Sequence, residues 1–270
     1  RLQGDWSSDV CSSDLTIQRT TTTVDFSSVA QISGDVKGIN ALAMSPAGVM
    51  YVTVTSTTGG TDLFTISTEG ALTHVKDIAA YQQVGDQNFY DGVNGWYGFS
   101  AGDYVVNTGG NDQIYLAQAG FEHGYIYNVS TGGVTTFADP GMTNPINAAD
   151  FSYIGNWDGY EMVAYNALAN KVVLYDKDNN SISEVTPTNS AFSNVSATLA
   201  SYSYKTPFGE IRMIVDDGLG NRFEVARTGT NTYNVTAKGS TFRTDNSDGA
   251  SCGPKDRKST RLNSSHLVIS

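Results

Sequence analysis

Apolar and polar residues alternate along most of this chain in short runs, each closed by a polar turn that contains glycine or asparagine. The segment from Leu63 to Thr73 aligns without gaps on the segment from Ile126 to Thr136. Successive side chains leave a strand on opposite faces, so alternation on both sides of a short turn predicts two antiparallel strands. Leu174 to Ile182 repeats the pattern with a one-residue shift, and Arg222 to Gly229 repeats it loosely. Turns are expected near residues 68–70, 131–133, 178–181 and 227–230. The aromatic anchors Phe64, Tyr127, Tyr175 and Phe223 stand 63, 48 and 48 residues apart. A further strand pair leads three of these hairpins: Ile39–Met44 with Gly48–Val54, Ile146–Phe151 with Gly159–Tyr165, and Val195–Leu199 with Glu210–Val215.

Four strands in a unit of about 48 residues, repeated about four times, is the pattern of propeller blades. One four-stranded blade cannot bury both of its faces alone, and radial stacking against neighbours does so. The fold class expected is therefore all-β, a β-propeller or propeller fragment of about four four-stranded repeats, with a β-sandwich as the alternative. Residues 37–240 carry the repeats. Residues 16–36, with the run Thr20–Thr23, read as a linker and lead-in strand, and 241–255 as a truncated continuation.

At Gly48 to Thr53 and at Asn170 to Asp176 the chain resembles the YVTN-type propeller repeats of secreted and surface proteins. That resemblance implies the fold and a location outside the cell, and it assigns no functional residue. The two ends carry a second resemblance. Asp5 to Leu15 and Asp256 to His266 resemble a sequencing-library adapter translated from its two strands. On this reading 1–15 and 256–270 are adapter-derived, the protein proper is an open-ended fragment, and both ends should pack poorly against the body. Trp6, Cys11 and His266 then drop out of any functional reasoning, Cys252 stands alone, and the lack of a leader carries no information.

Charge narrows the partners. With 16 Lys and Arg against 27 Asp and Glu, the net charge is −11. Such a surface repels phosphate backbones, so nucleic acid is not expected as a partner, and the plainest use of the acidity is solubility. No apolar run approaches the ~20 residues of a membrane-spanning helix, so no membrane insertion is expected.

Most candidate chemistry dissolves on inspection. Gly98 to Gly102 matches G-x-S-x-G, but the residues that follow, Asp103 to Val106, read as a strand where a nucleophile elbow needs a helix. Asp176, Asp178 and Asn180 alternate as in a calcium loop, but Ser181 replaces the turn glycine and no closing glutamate follows. This stretch and Asp216-Asp217-Gly218 read as turns. His74 and His123 are isolated in sequence, without the spacing of metal ligands. The sequons at Asn128, Asn179, Asn194 and Asn234 are as many as this composition gives by chance. No catalytic residue, metal site or cofactor is expected.

One stretch stands apart. Phe89, Tyr90, Trp96, Tyr97, Phe99 and Tyr104 crowd the place where the first repeat interval is too long. Ring faces can stack on sugars while polar neighbours bond the hydroxyls, so Tyr90, Asp91, Asn94, Trp96 and Tyr97 are the ligand-binding candidates. Packing between blades would use the same residue types. The function expected is a non-catalytic binding or adhesion module of a larger secreted or cell-surface protein, with a glycan or another surface protein as partner. A structural repeat of a surface layer or fibre, and a glycan-acting enzyme on a propeller scaffold, stay open beside it.

Overall fold

The computed structural model describes residues 2–7, 19–24, 36–56, 60–67, 71–79, 90–91, 96–97, 99–107, 109–117, 124–137, 140–141, 150–190, 198–206, 208–217, 219–240, 248–250 and 267–269. Among them there is no helix, and so none long and apolar enough to cross a membrane. The strands in chain order begin with β1 (Leu2–Ser7) and β2 (Arg19–Val24). Blade one is β3 (Val36–Met44), β4 (Met50–Ser56), β5 (Gly60–Ile66) and β6 (Leu72–Ala79). A short pair follows, β7 (Tyr90–Asp91) and β8 (Trp96–Tyr97). Blade two is β9 (Ala101–Val105), β10 (Gln113–Ala117), β11 (Gly124–Asn128) and β12 (Val134–Phe137). Blade three is β13 (Phe151–Trp157), β14 (Tyr160–Asn166), β15 (Lys171–Asp176) and β16 (Ser181–Val185). After β17 (Asn189–Ser190), blade four is β18 (Thr198–Lys205), β19 (Ile211–Asp217), β20 (Asn221–Gly229) and β21 (Thr232–Ser240). β22 (Asp248–Ala250) and β23 (Leu267–Ile269) complete the strands.

Each blade is an antiparallel meander, and β17 adds a parallel strand at the rim of the fourth. The first strand of each blade lies at the axis: β3 packs on β9, β9 on β13, and β13 on β18. The molecule is a β-propeller with four repeat blades, and the sandwich alternative is set aside. β22 packs against both β18 and β3, so the sheet in the order β2-β1-β23-β22 stands between blades four and one. The terminal segments 2–7 and 267–269 thus have strand backbone.

Burial explains why the middle strands read as continuous apolar runs. On β14, Met162 and Ala164 join the core shared with blade two, while Val163 and Tyr165 join the core shared with blade four. Both faces are dry, and a buried side chain such as Met162 or Val163 contributes about 1.5–3 kcal/mol of transfer energy. The four aromatic anchors all fall on the third strand of their blades and all are buried. Tyr127, Tyr175 and Phe223 each join the core shared with the preceding blade.

The hairpins lie where the alternation placed them, as the third and fourth strands of each blade. In blade four β20 continues through Gly229, and the turn falls at Thr230 and Asn231, where Asn231 takes φ 50°. The leading strands of blades three and four run further than expected, to Trp157 and Lys205, past the expected ends at Phe151 and Leu199. The expected stretches 146–149 and 195–197 lie outside the described residues. Their sequences, FSYIGNW and TLASYSYK, carry buried serines at Ser152, Ser201 and Ser203, so apolar alternation missed them. The turn between β13 and β14 is Asp158-Gly159, with φ of 56° and 97°, the double positive φ that a tight two-residue hairpin needs.

Candidate functional site

A meander that starts at the axis and ends at the rim returns to the face it left. The strand ends that flank the connectors, Ala79 and Ala101, Phe137 and Phe151, and Val185 and Thr198, therefore share one face of the propeller. Loops on a rigid β scaffold are where recognition is usually carried. The first of these connectors is the longest, and it alone contains a strand pair of its own among the described residues. In it Tyr90 stands opposite Tyr97 and Asp91 opposite Trp96, and β8 lies beside β3, the axial strand of blade one. The backbone thus gathers Tyr90, Asp91, Trp96 and Tyr97 on one hairpin next to the axis. Asn94 lies outside the described residues. Phe99 and Tyr104 belong elsewhere: both are buried in the core between blades one and two, with Phe99 edge-on to Tyr125 at 5.6 Å.

Beside the axis the polar side chains are occupied in joining blades. Asp103 accepts the Tyr104 amide at 2.7 Å and, across the seam, the Tyr153 amide at 2.5 Å. One repeat later, Asp150 accepts the Phe151 amide at 2.8 Å and the Ser201 amide of blade four at 2.5 Å. Ser203 donates to the Tyr153 carbonyl at 2.7 Å, and the Ser152 and Ser201 hydroxyls meet at 3.1 Å. A buried carboxylate bonded in this way links two strands that share no ladder. The sequence signal was an Asp followed by an aromatic residue at the repeat spacing, and apolar alternation alone overlooked it.

On the opposite face Asp158 closes the same seam of blades three and four. It accepts from Arg227 Nε at 3.0 Å, from the Asn231 amide at 2.9 Å and from the Tyr233 hydroxyl at 2.7 Å. The Arg227 guanidinium first, then the tyrosine and amide donors, hold its carboxyl down at about 2.

Two groups of potential metal ligands come together in the fold. Asp62 of β5 is paired in register with Asp77 of β6, and His74 stands opposite Phe64. His74 Nε2 lies 2.9 Å from Asp77 Oδ1 and 3.9 Å from Asp62 Oδ1. Burial, and then the neighbouring Asp77 carboxylate, push the Asp62 carboxyl up to about 6. Linear spacing hid this group, because the three residues meet only through strand pairing. The second group is Glu161, Asp176 and Asp178. Here the oxygens serve the turn: Asp176 accepts the Asp178 and Asn179 amides, Glu161 accepts the Lys177 amide at 3.2 Å, and Asp178 pairs with Lys177 Nζ at 2.5 Å. Asp176, Asp178 and Asn180 are a hairpin turn, with Asn180 at φ 47°.

Ser100 of the G-x-S-x-G match enters a strand. It is 6 % exposed and its hydroxyl has no hydrogen-bond partner, so no base reaches it among the described residues. Asp217 caps its turn through the Leu219 and Asn221 amides, and Asp216 pairs with Arg222. The sequon residues Asn128 and Asn179 spend their side chains on local hydrogen bonds, and Asn234 accepts one from the Thr188 hydroxyl. His123, Phe89 and Asn194 lie outside the described residues.

Fold and seams define a β-propeller. No protein-family model matches the sequence, and no curated protein does. Among solved structures, the chain superposes on a mutant of the GH43 protein BlXynB from Bacillus licheniformis with a TM-score of 0.51 at 10 % identity, covering 87 % of this chain and 55 % of that one. An auxiliary nutrient binding protein from Bacteroides thetaiotaomicron gives 0.48 at 11 %, covering 86 % and 59 %. A triple mutant of AofleA from Arthrobotrys oligospora gives 0.47 at 12 %, covering 85 % and 63 %. At such identities the likeness is one of fold. The chain spans 55 %, 59 % and 63 % of these three chains' lengths.

Proposed function

We propose that this propeller is a non-catalytic glycan-binding module of a larger secreted or cell-surface protein, with its ligand on the face that carries the 80–100 connector. The observation that carries this reading is the β7–β8 hairpin, which sets Tyr90, Asp91, Trp96 and Tyr97 beside the axial strand of blade one. Aromatic residues interleaved with short polar ones supply the apolar faces and hydrogen-bonding rim that a sugar ring requires. The hairpin also interrupts the repeat, so stacking of the blades does not account for it.

A glycan-acting enzyme is the second reading, favoured by the fold likeness to the GH43 protein. Glycoside hydrolysis needs two carboxyl groups free to exchange protons or attack, about 5–9.5 Å apart. Of the carboxylates next to the axis, Asp103 and Asp150 instead accept backbone amides across blade seams, while Asp91 stands on the hairpin itself. The commitment of those two favours binding over hydrolysis.

The test is a glycan array probed with the full chain, followed by calorimetry on the sugars retained. Trp96→Ala or Tyr97→Ala should weaken binding by roughly 1–3 kcal/mol, the loss of one well-used aromatic contact, with an unchanged urea midpoint. Binding unaffected by both substitutions would refute the site. Release of reducing sugar from a retained oligosaccharide would favour the enzyme.

A further inference from the structure

We infer that Asp62, His74 and Asp77 form a binding site for a divalent transition-metal ion, with zinc the best match to the donors. The site sits on the outer half of blade one, where β6 runs into the 80–100 connector. It does not depend on the glycan reading.

Geometry is the first support. Three protein ligands of mixed nitrogen and oxygen type, with one position left open, are what zinc accepts at bond lengths of 2.0–2.2 Å. A tetrahedron of such bonds has donor–donor edges of about 3.3–3.6 Å. The imidazole nitrogen stands 2.9 and 3.9 Å from the two carboxylates, which brackets that edge, and all three donor atoms lie within 4.8 Å of one another. The pairing of Asp62 with Asp77 fixes the two carboxylates on neighbouring strands, so small side-chain rotations are enough to close the set.

Independent support comes from how poorly these groups satisfy one another. The Asp62 side chain is only 7 % exposed and faces a second carboxylate, with the imidazole nitrogen still 3.9 Å away. The His74 Nε2 atom is buried and forms no hydrogen bond of acceptable geometry, although Asp77 is close. A buried carboxylate opposed by like charge, beside an imidazole nitrogen held only by a poorly aligned contact, is costly in a protein alone. One divalent cation relieves both. Phe64 packs edge-on against the His74 ring at 5.2 Å and limits its rotation, the kind of support that holds a ligand in place. Asp77 is 84 % exposed, which leaves the ion a path in and room for a water as fourth ligand. Bound there, the metal would tie β5 to β6 at the root of the connector.

The competing account is an ion pair of protonated His74 with Asp77, and one experiment separates them. The full chain is stripped with chelator and titrated with zinc chloride at pH 7.5 by calorimetry, with cobalt(II) as a parallel spectroscopic probe. The site predicts zinc binding that raises the melting temperature, and the strong visible bands of tetrahedral cobalt. His74→Ala should reduce the affinity by more than about 100-fold, beyond the loss from removing a mere supporting partner. Asp62→Asn, which keeps shape and pairing, should also lower it by at least tenfold, while Glu161→Gln changes nothing. Should His74→Ala fail to fold, Asp62→Asn and His74→Gln decide the matter alone. Absence of zinc binding overturns the inference, as does binding unchanged in these variants.

Discussion

The seam between blades three and four and the seam between blades one and two bury comparable side chains, yet they are closed by different means. At the three–four seam, directional polar bonds lock the blades at both ends. Asp150 and the serines act near one face and Asp158 at the other, around a core of Ile154, Trp157, Tyr165, Phe223 and Tyr233. The one–two seam is fitted by shape. Ala41 takes φ 56° where β3 slips register, and its carbonyl presses on Gly102, where an added Cβ would meet the oxygen at 2.7 Å. Repeats that share a fold need not share the physics of their contacts. Part of the chain's acidity is also structural: Asp103, Asp150 and Asp158 work inside seams, so the surplus of negative charge is not surface solubility alone.

The sharpest way to break this contrast is Asp150→Asn. An asparagine keeps one acceptor, but its amide group must then face either the Phe151 or the Ser201 N–H, donor against donor. Loss of a charged hydrogen bond and a stranded buried amide should cost about 3–4 kcal/mol, nearly as much as Asp150→Ala. Urea denaturation measures it. A loss under about 1 kcal/mol would mean that packing, not the carboxylate, holds the seam.

Asp158→Asn probes the same seam from the other face, and pH makes the test specific. The folded carboxyl is held at about 2, below its ordinary 3.8, so its contribution is complete above about pH 4 and fades as pH falls through 2. The substitution should therefore cost about 2 kcal/mol at pH 7 and progressively less between pH 4 and 2. A pH-independent difference would assign the effect to shape instead of charge.

What the sequence made legible follows the same division. Shape-driven packing leaves a trace in apolar alternation, which is why the hairpins and the anchors Phe64, Tyr127, Tyr175 and Phe223 fell on equivalent strands. Polar joining erases that trace: Ser152, Ser201 and Ser203 broke the alternation and hid how far the leading strands of blades three and four extend. The Asp62–Asp77 pairing was only nearly within reach: a hairpin turning at 68–70 folds residue 62 onto residue 76, and a bulge at Leu63/Phe64 moves the partner to Asp77. A metal template read along the chain cannot see it, since the ligands belong to two strands. The candidates at 90–97 were visible only as a break in the repeat, and the structure adds the backbone pairing that collects three aromatic residues and Asp91.

At the shape-fitted seam the matching test is Gly102→Ala. The new methyl would sit 2.7 Å from the Ala41 carbonyl oxygen and 3.0 Å from its Cβ, so the bulge in β3 must shift. The expected cost is about 1–2 kcal/mol from overpacking, smaller than breaking the Asp150 bonds because a bulge yields more readily than a buried amide finds a new partner. An unchanged denaturation midpoint would show that the close approach relaxes freely.

The smallest effect is expected where the ring passes between blades four and one. There β22 meets both axial strands, and β1 and β23 extend the sheet outward from it. β1 reads LQGDWS and β23 reads LVI, stretches that the adapter resemblance attributes to a sequence never selected to fit this body. Strands placed by chance pair through their backbones, but they lack the matched side chains that make a seam worth several kcal/mol. A chain trimmed to residues 16–255 retains β2 and β22 and should unfold within about 0.5 kcal/mol of the full chain, the range of substitutions that touch nothing important. Should trimming cost more than about 2 kcal/mol, the terminal strands would be genuine parts of a closing blade, and this third seam would join the other two as a built contact.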